Sequence, residues 1–129
     1  MKKTLIILSL SISISLSMLA QDIKTKFMQI TTIESVVGGG FGRSKMLITK
    51  DDGSQEERDM ENLFSLTGIN MKNIKSNETS ILQVLKTYTD EGWKLQSTIP
   101  LTLSPSQNGN NGIFMTRYLL VKDDVKKGF

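Results

Sequence analysis

The carboxylates are the side chains of this sequence that could do chemistry, because the groups that usually catalyse are absent. The chain contains 13 Asp and Glu residues but no His and no Cys. A Ser–His–Asp triad, a thiolate nucleophile and the usual zinc ligands are therefore excluded. Acid–base catalysis would need two carboxylates in an apolar pocket, and no spacing in the chain indicates such a pair. We expect no catalytic residue, no metal site and no cofactor, and hence no enzyme.

One group of acids surrounds Asp52-Gly53, a dipeptide that strongly predicts a β-hairpin between positions 43 and 60. The acids of this hairpin are Asp51, Asp52, Glu56 and Glu57. They lack the spacing of a calcium loop. Their strand is almost wholly polar, as in an exposed sheet edge where charges oppose unwanted strand pairing. A two-residue turn would place Leu47 opposite Arg58 and Thr49 opposite Glu56.

The stretch Gly38-Gly39-Gly40-Phe41-Gly42-Arg43 offers bare backbone amides and a cation, which could hold an anion. Its spacing matches neither a P-loop nor a dinucleotide-binding motif, and no helix follows it. A flexible hairpin loop is the simpler interpretation, in which the Phe either packs on the sheet or is an exposed contact. A second long loop, Leu101 to Gly112, is either disordered or functional. The candidate contact residues of the two loops are Phe41, Arg43, Asn108 and Asn110.

The elements that position these residues centre on a helix from Asn77 to Glu91. Ile81, Leu85 and Tyr88 recur at the spacing of one helical face and form an apolar stripe. Ser76 or Asn77 can cap the first turn, since either side chain accepts a hydrogen bond from a free amide. Gly92 is the expected stop, because Gly alone adopts a positive φ without steric cost.

A strand follows this helix and opens with the only Trp of the chain. Trp93, Leu95 and Ile99 fall on one face of a period-two pattern, and Pro100 is expected to end the strand. Trp93 could be a stacking platform for a sugar or a base. Its place beside two aliphatic residues favours the core instead. Its replacement by Ala should then cost about 3–5 kcal/mol.

The remaining segments add strands around this unit. Phe27 to Val37 is a strand that has a bulge near Thr31-Thr32 or is covered on both faces. Glu61 to Leu66 is expected to form one helical turn. Ile113 to Lys122 is apolar on both faces, which indicates a central strand covered twice, by Glu61–Lys75 or by a second subunit.

We therefore expect an α+β fold, with an antiparallel twisted sheet of about five strands and one main helix packed across one face. The expected structural core is Trp93, Gly92, Ile81, Leu85, Tyr88, Leu95, Ile99, Tyr118 and Leu120.

The run Asp90-Glu91-Gly92-Trp93-Lys94-Leu95-Gln96-Ser97 resembles the Gly-Trp-Glu-Leu-Val-Ser signature of the small bacterial family called domain of unknown function 4177. Tyr118-Leu119-Leu120-Val121-Lys122 resembles the last strand of that family. The resemblance covers about half of the mature chain and implies a fold without an activity. The sequence departs from the family by an export signal, by the Lys45–Met60 hairpin and by the long final loop.

Residues 1–20 have the pattern of a secretory signal peptide, with Lys2-Lys3 before an apolar run and a cleavage point after Ala20. Ser residues interrupt the run, so it is not expected to span a membrane. We expect a periplasmic or extracellular product with a flexible lead-in at 21–26, one domain at 27–122 and a loose charged tail at 123–129. Removal of the leader lowers the net charge from +3 to +1. That balance gives no indication of nucleic-acid binding.

Two classes of function fit these observations. The first is an exported, non-catalytic module that binds a protein partner or a second copy of itself. The second is a small-ligand carrier or a weak carboxylate-dependent enzyme. A closed pocket with at least two carboxylates would favour the second class, and a flat or loop-borne surface would favour the first.

Overall fold

The structure is a computed structural model that describes residues 23–36, 43–104 and 112–125. Its elements are β1 (Ile23–Ser35), β2 (Ser44–Thr49), β3 (Gln55–Met60), β4 (Phe64–Ser65), β5 (Gly68–Ile69), α1 (Met71–Asp90), β6 (Lys94–Leu103) and β7 (Ile113–Val125). The predicted leader, most of the glycine-rich loop and the centre of the last loop lie outside the described residues. The candidate contact residues Phe41, Asn108 and Asn110 lie there as well.

Five antiparallel strands form the main sheet in the order β3-β2-β1-β7-β6, and α1 packs against it. The expected α+β fold is therefore confirmed. The short strands β4 and β5 pair in a sheet of their own. Contacts group Lys26–Lys122 into one unit, and the described ends of β1 and β7 form a second. Within that second unit, the Thr25 hydroxyl lies 3.1 Å from a carboxylate oxygen of Asp123.

The core lies between α1 and one face of the main sheet. Its buried apolar residues are Met28, Ile30, Met46, Ile48, Met60, Ile81, Val84, Tyr88 and Leu120. Leu85, Trp93 and Tyr118 are partly buried and pack against this cluster. The burial pattern along β2 shows which face of the sheet packs on the core, because Met46 and Ile48 are buried whereas Leu47 between them is not. Within the described part of the chain, one amphipathic helix thus covers one face of the sheet.

The helix begins six residues before the predicted start at Asn77. Asn70 is the N-cap, and its side-chain oxygen accepts hydrogen bonds from the amides of Lys72 and Asn73 at 3.1 and 3.3 Å. The first turns carry few apolar residues, so their periodicity is weak and the helix could not be traced back from Ile81. The assignment of Ser76 or Asn77 as the cap is wrong, since both residues lie within the helix, where the Asn77 side chain is buried.

The end of the helix agrees with the sequence. Gly92 has a φ of +91°. Its amide donates to the Thr89 carbonyl at 3.0 Å, and the Trp93 amide donates to the Tyr88 carbonyl at 3.0 Å. These two bonds form a Schellman motif, which requires a residue with positive φ at the position of the Gly. Gly92 itself is exposed, so its role is conformational and its inclusion among the core residues is corrected.

Two expected core residues of β6 are exposed instead. Leu95 is 50% exposed and Ile99 is 49% exposed. A β-bulge lies between Leu95, which pairs with Leu120, and Ser97, which pairs with Leu119. The extra residue reverses the alternation, so Ile99 points away from the helix. Leu95 stays on the helix side but lies in the edge strand, beyond the cover that α1 provides.

Pro100 does not end β6, which continues to Leu103. It pairs with Thr116 of β7, and β6 is an edge strand of the sheet. An edge position tolerates Pro because the missing amide hydrogen would have faced solvent. The prediction that Pro100 stops the strand is therefore wrong.

The β2–β3 hairpin exists, but its register differs by one residue from the predicted one. Leu47 pairs with Glu57 and Thr49 pairs with Gln55. The Lys50 amide donates to the Ser54 carbonyl at 2.9 Å, which closes a three-residue loop rather than a two-residue turn. Gly53 takes the left-handed position of this loop, with a φ of +80°.

Three further expectations are corrected. β1 and β2 pair without interruption from Gln29 to Ile33, so this pairing has no bulge near Thr31-Thr32. The segment expected to form a helical turn instead contains β4, which pairs with β5 around Gly68. β1 begins at Ile23 and β7 ends at Val125, so parts of the expected lead-in and tail are strands.

Candidate functional site

The most prominent feature that could bind a partner is the sheet face turned away from α1, called the open face below. Its apolar residues are Phe27, Ile33, Leu47, Ile99, Leu101, Leu103, Ile113, Met115, Leu119 and Val121. Their position on this face follows from the strand registers and from alternation along each strand, because directly paired residues of antiparallel strands share a face. Among the described elements, only α1 and the β4–β5 hairpin lie outside the main sheet. α1 packs on the opposite face. The hairpin residues Phe64 and Ile69 line one apolar cleft with Ile74 of α1 and, at the end of the sheet, with Phe114 and Leu103.

Several of these side chains are strongly exposed. Phe27 is 51% exposed and Leu103 is 55% exposed, with Leu101 at 43%. Single exposed apolar residues are ordinary on protein surfaces, but a contiguous patch across neighbouring strands marks an interaction surface. The expectation that β7 is covered twice is not met within the described residues, because the segment Glu61–Lys75 lies with α1.

Charges of opposite sign lie at the two sides of the open face. On the β3 side, Lys45 is held between Glu57 and Asp59, with Nζ–oxygen distances of 2.8 and 2.6 Å. The hydrogen bonds to Asp59 and Glu57 raise the pKa of Lys45. Two carboxylates around one ammonium leave this group, called the acidic edge below, with a net charge of −1.

On the opposite side, Lys94 and Arg117 form the basic edge. Lys94 pairs with Val121 and Arg117 pairs with Ile99, which places both cations on the open face. Both side chains are exposed, and neither forms an ion pair with a described residue. The open face therefore carries an apolar centre between an acidic and a basic edge.

A second site is a cleft of about 550 Å³ at the C-terminal end of α1. Its lining residues are Lys26, Met28, Lys50, Asp51, Asp52, Arg58, Thr87, Tyr88, Glu91 and Trp93. Trp93 is partly buried and packs on the core while lining this cleft. Because its burial is incomplete, the expected cost of the Ala substitution falls to the lower end of the range, about 3 kcal/mol.

Two of the carboxylates that line this cleft hold the hairpin in place, and one of them, Asp52, is poorly suited to proton transfer. Asp51 accepts a hydrogen bond from the Phe27 amide at 2.9 Å. Asp52 accepts one from the Ser54 amide at 2.9 Å, and hydrogen bonding by Ser54 lowers the pKa of Asp52. A general base needs a pKa near the working pH, and a carboxylate with a lowered pKa is a weaker base. Asp52 instead fixes the hairpin turn, and Asp51 ties this turn to β1.

A third cluster joins the middle of α1 to β1. The Asn77 amide nitrogen donates to a Glu34 carboxylate oxygen at 3.0 Å and to the Glu61 carbonyl at 2.8 Å, while its oxygen accepts from the Glu61 amide at 2.9 Å. Burial, together with the charge of Glu78, raises the pKa of Glu34, and the hydrogen bond from Asn77 partly offsets this. Burial, Glu78 and Glu34 also raise the pKa of Tyr118.

The sequence interpretation missed this role of Asn77, although a signal was present. Asn77, Ile81, Val84 and Tyr88 are the buried residues of α1 and follow one helical face. The same spacing extended one step back from Ile81 leads to Asn77. A buried amide with three hydrogen bonds is a structural device that fixes how the helix sits on the strand.

Of the candidate contact residues, Arg43 alone is described, and its side chain is exposed. The glycine-rich stretch that would supply the anion-binding amides lies outside the described residues. No group of three acidic side chains close enough to hold a metal ion occurs in the described ranges. Within those ranges, no helix has the length and hydropathy needed to cross a membrane.

Comparison of the chain with protein-family models, curated proteins and solved structures gives no match. The likeness to domain of unknown function 4177 therefore stays a resemblance of short motifs.

Proposed function

We propose that this protein is an exported, non-catalytic assembly module that binds protein through the open face of its sheet. The single observation that carries this proposal is the sheet face on which β1, β2, β6 and β7 present apolar residues, left uncovered by the described helix and hairpin. Exported status rests on the sequence pattern of residues 1–20. The absence of His and Cys and the lowered pKa of Asp52 both weigh against acid–base or nucleophilic catalysis.

The proposal predicts that the open face is covered where the protein works. The chain has no Cys, so a single introduced thiol reports on one position only. Leu101→Cys places the thiol on the open face, and Leu82→Cys places it on the solvent side of α1, where Leu82 is 67% exposed. Each variant is labelled with a maleimide in intact cells and again after purification and dilution to nanomolar concentration.

Leu101→Cys should react more slowly in cells than in the diluted protein, because a bound partner shields it. Leu82→Cys should react at the same rate in both settings. Equal rates for Leu101→Cys in the two settings would contradict the proposal.

Small-ligand binding is the second candidate function, and the cleft at Trp93 favours it. An aromatic side chain beside cations and carboxylates is suited to a saccharide, whose ring stacks on the indole while its hydroxyl groups bind the charged residues. Titration with mono- and disaccharides should then change the emission of the single Trp. Emission that stays constant up to millimolar concentrations would remove this candidate.

A further inference from the structure

We infer that the open face binds a second copy of this chain, face to face, with the acidic edge of each copy opposed to the basic edge of the other. This inference rests on the proposed function and names its partner. It commits to one symmetry, in which a two-fold axis runs between the sheets and parallel to the strands.

The size of the face fits such a dimer. A strand residue occupies about 3.3 Å along the strand and about 4.8 Å across it, so the paired strands between Lys26 and Lys122 present on the order of 700 Å². A standard protein–protein interface buries about 800 Å² on each partner. The open face can therefore supply most of a stable interface by itself. Sheets that pack in this way lie about 10 Å apart with their strands nearly aligned.

The distribution of charge selects the symmetry. A two-fold axis parallel to the strands exchanges the two sides of the sheet, so β3 of one copy lies over β6 of the other and β2 lies over β7. An axis across the strands would place β3 over β3 and bring Glu57 and Asp59 against the same carboxylates. Like charges opposed across an interface cost several kcal/mol, so the parallel axis is favoured.

The registers identify the leading charged contact. Val36 donates its amide hydrogen to the Gly112 carbonyl at 3.1 Å. Counting from this pair along β1 and β7 puts Thr31 opposite Arg117. Thr31 also pairs with Leu47, and Leu47 pairs with Glu57. Glu57 and Arg117 thus lie in one row across the sheet, on either side of the central strand.

The parallel axis keeps this row in register between the two copies. Arg117 of one copy then lies above Leu47 of the other, one strand away from Glu57. An Arg side chain is long enough to reach across a single strand spacing of about 4.8 Å. The contact between Arg117 of one copy and Glu57 of the other forms twice in a symmetric dimer, so each substitution acts twice.

Charge reversal tests the inference. The protein is expressed with its whole coding sequence, purified, and examined by sedimentation velocity from roughly 10 nM, with fluorescence detection, to roughly 100 µM, because interfaces of this size have dissociation constants from micromolar downwards. Arg117→Glu and Glu57→Arg should each raise the dimer dissociation constant about tenfold or more, because each opposes like charges. The double variant Glu57→Arg with Arg117→Glu should restore the dissociation constant of the unmodified protein, since the pair is re-formed with its signs exchanged.

One control and one further test accompany these variants. Lys72→Glu changes a charge on the exposed start of α1, away from the open face, and should leave the dissociation constant unchanged. Leu101→Lys places a charge in the apolar centre and should give a monomer with an unaltered circular dichroism spectrum.

A monomer throughout this concentration range would overturn the inference. A dimer whose affinity does not respond to the charge reversals, or is not restored by the double variant, would overturn it too. In either case, shielding of Leu101→Cys in cells would leave the proposed function standing with a different partner. The absence of shielding there would defeat the proposed function as well, so the two failures are distinguishable.

Discussion

Leu95 and Ile99 lie four residues apart in β6, and they point to opposite faces of the sheet. Regular alternation would put them on the same face, but the bulge between Leu95 and Ser97 inserts one extra residue. Ile99 thereby joins Leu101 and Leu103 on the open face instead of the core. The extra residue of this bulge thus turns three apolar side chains of the edge strand toward the proposed interface.

The first prediction separates the two faces by stability. Leu120→Ala should lower the free energy of unfolding by about 2–5 kcal/mol, because this side chain is fully buried beneath α1. Ile99→Ala should cost only about 1 kcal/mol in the isolated chain, since half of its surface is already in water. Urea unfolding at low micromolar concentration measures both. Equal costs for the two substitutions would place Ile99 in the core after all.

The second prediction concerns the end of the helix. Gly92→Ala should destabilise the fold by about 1–2 kcal/mol, because an L-residue is strained at a φ of +91°. A methyl group there would meet the Lys122 side chain no closer than 3.7 Å, so the cost is conformational and not steric. Gly92→Asn is the matched control and should cost less, since Asn tolerates this conformation better. Thermal unfolding of the two variants would refute the assignment if Ala were the milder change.

The third prediction tests the buried amide of α1. Asn77→Ala should cost about 2–3 kcal/mol, because it removes hydrogen bonds to Glu34 and to both backbone groups of Glu61. Asn73→Ala is a suitable comparison, since the Asn73 amide makes one bond to the Asn62 carbonyl at 2.8 Å. It should cost about 1 kcal/mol. Chemical unfolding that ranks the two in the opposite order would remove Asn77 from its structural role.

The fourth prediction is a pH dependence that originates at Glu34. Burial raises the pKa of its carboxyl above the usual 4.5, so the folded chain binds this proton more tightly than the unfolded chain. The contribution of Glu34 to stability is fully present below the unfolded pKa. It is lost as the pH rises through the folded pKa.

Glu34→Gln should therefore remove this dependence and raise stability relative to the unmodified protein at pH values above the folded pKa of Glu34, because the neutral amide need not ionise. Unfolding curves collected between pH 4 and pH 8 on both proteins (a window placed roughly around the ordinary carboxyl range) provide the comparison. A stability difference that does not vary with pH would show that Glu34 titrates normally.

The sequence predicted the parts of this fold that depend on local patterns. The stripe of Ile81, Leu85 and Tyr88 gave the helix its buried face, and Gly92 gave its end. The α+β arrangement then followed from one amphipathic helix among several strands. These features are encoded within a few residues of one another, so periodicity alone reveals them.

Features that depend on distant pairing were not predictable in this way. The bulge in β6 is defined by the register with β7, and Ser97 looks like any other alternating residue. The three-residue loop at Gly53 is likewise indistinguishable in sequence from a two-residue Asp-Gly turn. The partners of Asn77 lie 16 and 43 residues away, so nothing local marks its hydrogen bonds. The candidate site was only partly predictable. The sequence of β7 shows apolar residues on both of its faces, but which face is covered depends on how the other strands and the helix pack.

Both borders of the main sheet resist the addition of another strand. Pro100 lacks the amide hydrogen that an incoming chain would require along β6, and β3 presents a nearly continuous row of charges along the other border. Growth in the hydrogen-bonding direction, by which amyloid fibrils elongate, is thus blocked on either side.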